Sequence, residues 1–110
     1  MNDLVKRLHD RQPIKLSRLK EGISSLRAQY DLGYVHVLFI KTGTELTIKL
    51  DKKNSSARPD DQFHGPLHFE GKVTLNYDKV RVMVDVQPTD LTGEGTVSHV
   101  SDDEYEAIAS

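Results

Sequence analysis

Four polar residues between positions 60 and 68 are the first candidates for chemistry in this chain of 110 residues. His64 and His68 are four residues apart, the spacing at which two imidazoles on one helix face can bind the same metal ion. The glycine and proline between them exclude a helix interior, so the two rings are not aimed at one point. Asp60 and Asp61 leave a mixed oxygen and nitrogen site as a minor alternative. We therefore predict neither a metal site nor a bound cofactor.

The other residues with catalytic potential are better explained by structure. His36 lies in an apolar segment, where a hydrogen-bonded core histidine is more common than a catalytic base. Gly93-Glu94-Gly95 lacks the lysine and hydroxyl residues of a phosphate-binding loop. No serine has the flanking sequence of a nucleophile elbow. The sequence therefore predicts a protein that is not an enzyme.

Charge is distributed unevenly along the sequence. Residues 1–30 contain seven Lys and Arg against three acidic residues, a balance of +4, whereas residues 85–110 contain seven acidic residues and no Lys or Arg. Either the two ends neutralise each other on an ordinary surface, or the basic end binds an anionic partner. The candidate binding residues are all basic: Lys6, Arg7, Arg11, Lys15, Arg18, Lys52, Lys53 and Arg58.

Two paired apolar runs, Tyr34–Leu50 and His68–Gln87, predict that most of the core is antiparallel sheet. A reversal around Gly43 folds the first run into a hairpin. The second run reverses either at a two-residue turn, Asp78-Lys79, or at the longer turn Asn76–Lys79. Both turns keep the same residues on the same face, so the two hairpins are expected whichever turn forms.

The second run also indicates which side chains face the core. Four valines alternate with other residues and share one face: Val80, Val82, Val84 and Val86. Arg81 and Met83 lie on the opposite face. We therefore expect Val84→Ala to cost about 1–3 kcal/mol of folding free energy. Arg81→Ala is expected to cost under about 0.5 kcal/mol.

Helices are predicted at both ends of the chain. Residues 1–12 form a basic N-terminal helix that Pro13 ends. Apolar residues then recur at spacings of three, four, three and four, which predicts a long amphipathic helix over Leu16–Tyr30. Ser101 begins a capping box with Glu104, so residues 101–110 are predicted as a short acidic helix.

Together these elements predict a single α+β domain over residues 1–110. Its N-terminal helices pack on a four- to five-stranded antiparallel sheet built from the two β-hairpins, and a short C-terminal helix completes it. Residues 51–67 connect the hairpins and have almost no apolar character. A connection of that length is typical of a mobile loop or a binding loop.

The function that this combination favours is non-catalytic: a small cytoplasmic adaptor, inhibitor or regulator that binds another protein. One alternative is a nucleic-acid-binding protein that uses the basic N-terminal helices. A second is a small-ligand-binding domain with a pocket between helix and sheet. The chain has no cysteine, no apolar signal segment at its start and no apolar run of membrane-spanning length, so we expect a cytoplasmic protein without a membrane partner. The expected oligomeric state is a monomer or weak homodimer, with Val80–Val86 as an edge that could pair between chains.

Overall fold

The chain folds into a closed barrel of six antiparallel strands in the computed structural model, which describes residues 3–55 and 66–108. Each strand pairs with its neighbours in the sequence, and the first strand pairs with the last, which closes the ring. The strands are β1 (Gln12–Leu16), β2 (Tyr34–Phe39), β3 (Thr44–Leu50), β4 (Leu67–Leu75), β5 (Asp78–Val86) and β6 (Thr92–His99). The predicted fold, helices on an open sheet of four to five strands, is therefore wrong, because it leaves out β1 and β6.

Along the strands, every second side chain points into the barrel and forms its core. In β5 all four valines of the predicted core face are buried. Arg81, Met83 and Asp85, which lie between them, face outward and are half-buried. Phe39 and Phe69 are the largest of the fully buried side chains among the described residues. The predicted facing of the second hairpin is thus confirmed.

β1 takes the place of the start of the predicted helix Leu16–Tyr30. Its side chains alternate between buried and exposed positions, which is the period of a strand and not of a helix. Leu16, the first residue of the predicted apolar stripe, is the last residue of β1. Arg18 and Gly22 then adopt positive φ angles of 59° and 61°, a conformation that no α-helix contains. The prediction is wrong over residues 16–22, nearly half of its length, because the stripe joins residues of two different elements.

The helix that does form is α2 (Ile23–Leu32). It ends at Leu32, and its C-cap residue Gly33 has the left-handed φ of 92° that commonly terminates helices. Leu26 and Tyr30 are its buried residues. The Tyr30 ring lies 6.3 Å, centroid to centroid, from the ring of Phe69 in β4, so α2 packs against the barrel core.

β6 does not show the apolar alternation of a strand in the sequence, because two of its inward positions are glycines. Gly93 and Gly95 pair with Val86 and Val84 across the sheet. A Cβ atom on Gly93 would collide with the backbone carbonyl of Asp85, so β5 and β6 approach each other where only glycine fits. This close approach explains why β6 was not predicted. A strand with glycines at part of its inner face lacks the alternation of apolar and polar residues.

α1 (Asp3–His9) ends before the predicted limit at residue 12, because Gln12 belongs to β1. The Gln12 amide nitrogen donates to the carbonyl oxygens of Arg7 and Asp10 at 2.9 and 3.0 Å. These two bonds satisfy backbone acceptors at the end of α1. Val5 and Leu8 of α1 are buried in the common core, and the partly buried Leu4 packs against it.

The predicted helix cap at Ser101 is confirmed. The Ser101 hydroxyl oxygen accepts a hydrogen bond from the backbone N–H of Glu104 at 3.1 Å, which starts α3 (Asp102–Ala107). Ile108, directly after α3, is buried and anchors the end of the helix. The last two residues of the predicted segment 101–110 lie outside the described residues.

The two hairpin turns differ in how well the sequence predicts them. The reversal around Gly43 is confirmed, since Phe39 pairs with Thr44 and Gly43 has a φ of 69°. The β4–β5 turn consists of Asn76 and Tyr77, so both turns predicted for this hairpin are wrong. The prediction that the β5 valines face the core is nevertheless right.

The predicted loop over residues 51–67 is shorter in the structure. Lys52–Asn54 forms a 3-10 turn directly after Asp51, and β4 begins at Leu67. Arg58, Asp60, Asp61 and His64 lie outside the described residues, so the predictions made for them stay predictions.

Candidate functional site

His68 lies between two carboxylates on the outer face of the barrel. Its Nδ1 is 2.8 Å from Oδ1 of Asp85, the residue opposite on β5, and its Nε2 is 2.7 Å from Oε2 of Glu70. A neutral imidazole has a single N–H, so two carboxylate contacts require the protonated ring. Partial burial opposes that charge, but the hydrogen bonds to Glu70 and Asp85 outweigh it and raise the pKa of His68 above its usual value.

Arg11 extends this arrangement toward the N-terminus. Its Nη2 donates to Oδ2 of Asp85 at 3.0 Å, and its Nε donates to Oε1 of Glu94 on β6 at 3.1 Å. The hydrogen bonds to Asp85 and Glu94 raise the pKa of Arg11 further. Burial disfavours the charge on Asp85, but the bonds from His68 and Arg11 outweigh this effect and lower the pKa of that carboxyl group. One carboxylate of β5 thus joins two cations.

Arg81 extends it in the other direction. Its Nη1 donates to Oε1 of Glu70 at 2.8 Å and lies 3.6 Å from Oδ2 of Asp51, a carboxylate whose side chain is only 6% exposed. Asn54 donates to the same Asp51 oxygen at 2.7 Å, and the Asp51 backbone N–H donates to the carbonyl oxygen of Glu70 at 2.8 Å. We call the resulting series the ion-pair chain: Glu94, Arg11, Asp85, His68, Glu70, Arg81 and Asp51.

The ion-pair chain has no recognisable pattern in the sequence, for a definable reason. The hairpin register predicted for a two-residue Asp78-Lys79 turn places Lys72 opposite Asp85, whereas the structure pairs Asp85 with His68 and Lys72 with Arg81. With the correct turn, alternate acidic and basic residues on β4 and β5 would have indicated cross-strand ion pairs. Arg11 and Asp51 lie far from the hairpin in sequence, so no local pattern places them in the chain.

A second polar cluster occupies the outer face of β2 and β3. His36 Nδ1 is 2.8 Å from the hydroxyl oxygen of Thr47, its partner across the strands. The rings of Tyr34 and His36 meet edge to face at 5.3 Å. Arg18 Nε donates to Oε1 of Glu45 at 2.7 Å. His36 is hydrogen-bonded, as predicted, but it lies half-buried on the outer face and not in the core.

The predicted basic binding residues that the structure describes belong to several different elements. Lys6 and Arg7 are exposed on α1, and Lys15 is exposed on β1. Arg11 and Arg18 bind carboxylates on different strands, as described above. Lys52 Nζ lies 4.7 Å above the ring of Tyr30, an exposed Lys53 follows it, and Arg58 lies outside the described residues.

The basic and acidic ends of the sequence do meet at Arg11, which binds Asp85 and Glu94. The acidic helix α3 finds its cations elsewhere. Asp102 pairs with Lys79 at 3.2 Å, and the Tyr105 ring lies beneath the ammonium groups of Lys72 and Lys79. Part of the predicted charge asymmetry is therefore neutralised inside the molecule.

Three large apolar side chains of the described residues are exposed: Leu32 by 70%, Ile40 by 50% and Tyr77 by 98%. Tyr77 forms the tip of the β4–β5 hairpin with Asn76, and both have positive φ angles, 74° and 46°. Because β3 and β4 are antiparallel neighbours, the turn with Ile40 and the turn with Tyr77 lie at the same end of the barrel. Leu32 precedes β2 and so lies at the opposite end.

No protein-family model and no curated protein matches this sequence. Within residues 3–55 and 66–108, no three His, Cys, Asp or Glu side chains are grouped so that they could hold a metal ion. In the same part of the chain, every helix is too short or too polar to cross a membrane.

Proposed function

We propose that this barrel is a non-catalytic adaptor, inhibitor or regulator that binds another protein through the tip of the β4–β5 hairpin. The observation that carries the proposal is Tyr77, an aromatic residue that is 98% exposed and has a φ of 74°. A left-handed backbone costs a residue with a side chain roughly 1–2 kcal/mol. Glycine is the favoured second residue in turns of this kind. The hairpin therefore carries a tyrosine where folding favours glycine.

An exposed ring returns none of that cost through burial in the free protein. Tyrosine is among the residues that contribute most at protein interfaces, because its large, rigid ring loses little conformational entropy on binding. Ile40, on the neighbouring turn at the same end of the barrel, adds apolar area to the surface. Every strand already has two neighbours, so a partner is expected to bind turns and side chains and not to add a strand.

The alternatives have less support. For nucleic acid, Arg11 and Arg18 already bind carboxylates, which reduces the positive charge that phosphates would meet. For a small ligand, Phe39 and Phe69 fill the interior of a narrow barrel. For an enzyme, both ring nitrogens of His68 face carboxylates, so neither is placed to take a proton from a substrate.

The expected assembly state of the free chain is a monomer or weak homodimer. Val80–Val86, the segment that an open sheet would offer to a second copy, lies between β4 and β6 and has no free edge. The cytoplasm remains the expected compartment because the chain contains no cysteine.

Photo-crosslinking in the native host tests the proposal. The photoreactive amino acid p-benzoylphenylalanine is placed at position 77 and, as the matched control, at position 32, which is apolar and exposed at the opposite end of the barrel. We expect a discrete protein adduct from position 77 and none of the same mass from position 32. Equal labelling from both positions would contradict the proposal.

Two variants then separate binding from folding. Tyr77→Gly relieves the backbone strain, so we expect unchanged or higher stability together with loss of the partner captured at position 77. Tyr77→Phe keeps the ring and should keep the partner. If Tyr77→Gly binds as well as the wild type, the hairpin tip is not the interface. Submicromolar, salt-sensitive binding of the wild type to a generic DNA or RNA duplex would instead favour the nucleic-acid alternative.

A further inference from the structure

The ion-pair chain connects three parts of the molecule that are far apart in sequence. Arg11 belongs to the linker between α1 and β1, His68 and its two carboxylates belong to the β4–β5 hairpin, and Asp51 begins the connection after β3. Of the seven residues, only His68 is of a type that titrates near neutral pH. The charge at the centre of the chain therefore depends on one proton.

We infer that His68 is a proton-dependent latch that holds the N-terminal linker and the start of the 51–66 connection to the β4–β5 hairpin. With the proton bound, each ring nitrogen donates to one carboxylate, Asp85 or Glu70. Without it, one ring nitrogen carries only a lone pair and faces a carboxylate oxygen less than 3 Å away. That contact is repulsive, so one of the two bridges must open.

The charges around the ring make this response strong. Among the described residues, six charged groups are connected to His68 directly or through one or two ion-pair partners. They come from its own strand, β5, β6, the linker before β1 and the residue after β3: Glu70, Arg81, Asp85, Glu94, Arg11 and Asp51. With His68 protonated, three cations face four carboxylates. With His68 neutral, two cations face four, and the excess negative charge weakens the whole series.

The direction of the pH dependence follows from the shift at His68. Its pKa in the folded protein lies above the usual value near 6.5. A raised folded pKa gives stabilisation that is complete below about pH 6.5 and is lost as the pH rises through the folded pKa. The latch is therefore closed below about pH 6.5 and opens as the pH rises through the folded pKa of His68.

NMR titration of the histidine side chains in the wild-type protein tests the central step. We expect both ring nitrogens of His68 to be protonated at about pH 6 and the ring to titrate above about 6.5. His36 is the internal control in the same spectra, because partial burial and the charge of Arg18 lower its pKa. Titration of His68 at or below its usual pKa, or a single protonated nitrogen at about pH 6, would overturn the inference.

Hydrogen exchange tests the consequence. The Asp51 amide donates to the Glu70 carbonyl oxygen, so it reports whether the start of the connection is held to β4. After correction for the intrinsic rate, we expect its protection to fall several-fold between about pH 6 and pH 8.5 in the wild type and to lose that pH dependence in His68→Gln. His36→Gln, the matched control, should respond like the wild type. The same response in His68→Gln as in the wild type would show that another group controls the connection.

Discussion

His36 and His68 occupy comparable places on two sides of the barrel, yet their proton affinities shift in opposite directions. Each is a half-buried histidine on an outward strand face, His36 opposite Thr47 and His68 opposite Asp85. Partial burial, assisted by the charge of Arg18, lowers the pKa of His36. Burial acts in the same direction on His68, but two carboxylates outweigh it and raise that pKa.

The difference shows that the two hydrogen-bonded carboxylates at His68 reverse the effect that burial has on the pKa of His36. A hydroxyl group can donate or accept, so Thr47 suits a neutral imidazole, whereas an ionised carboxylate only accepts. The same contrast extends to the arginines. Arg18 and Glu45 form a single ion pair whose arginine is 65% exposed, whereas Arg81 is 26% exposed and joins Glu70 to the buried Asp51. We therefore expect electrostatic stabilisation mainly on the β4–β5 side.

The largest effect is expected from Arg81→Ala. Removing Arg81 leaves the carboxylates of Asp51 and Glu70 without this cation in a largely buried setting, which we expect to cost about 2 kcal/mol of folding free energy. Strand facing alone predicts under about 0.5 kcal/mol for this variant. Arg18→Ala, the matched control on the other side, should cost no more than about 0.5 kcal/mol. Urea denaturation that gives equal costs for the two variants would remove the distinction between the faces.

An intermediate effect is expected when His36 is given a carboxylate partner like the one that His68 has. Thr47→Asp places a carboxylate beside His36, and we expect the pKa of His36 to rise by about one unit. Thr47→Asn has nearly the same shape without the charge and should leave the direction of the shift at His36 unchanged. NMR titration of the His36 ring measures both. A pKa of His36 that stays lowered in Thr47→Asp would mean that burial dominates after all.

The hairpins could be predicted because their apolar residues alternate within a short segment. The facing of Val82 and Val84, the reversal at Gly43 and the cap at Ser101 all depend on residues close together in sequence, and all are confirmed. The turn at Tyr77 could not be predicted, because its tyrosine disfavours the positive φ angle that the turn requires. That single error shifts the register and hides the contact between His68 and Asp85.

The closure of the barrel could not be predicted from the sequence because neither β1 nor β6 shows a clear strand pattern. β1 is short, and its Leu16 also fits the spacing of the following helix, so the helical period is the stronger signal. The inner face of β6 is partly glycine, because the backbone of β5 comes too close for a side chain there, so β6 lacks the apolar alternation that marks a strand. A sheet without these two strands has open edges. Such a sheet does not place Arg11 near Asp85 or Glu94, so their ion pairs are not predicted.

The smallest effect on stability is expected in acid, where Asp85 of the ion-pair chain becomes protonated. A lowered folded pKa gives stabilisation that is complete above about pH 3.9 and is lost as the pH falls through the folded value. Because the carboxyl group is 47% exposed, solvent screening should hold the contribution under about 1 kcal/mol. Asp85→Asn should therefore flatten the acid limb of the stability curve slightly, measured by urea denaturation between about pH 2 and pH 6.

Salt provides the control for this last prediction. Exposed ion pairs weaken at high ionic strength, so the difference between wild type and Asp85→Asn should shrink in about 1 M salt, where the screening length is about 3 Å. A difference that is independent of salt would show that Asp85 acts through hydrogen-bond geometry and not through its charge. In that case the contrast between the two histidines would have to be explained by the shape of their partners, since a hydroxyl and a carboxylate differ in both respects.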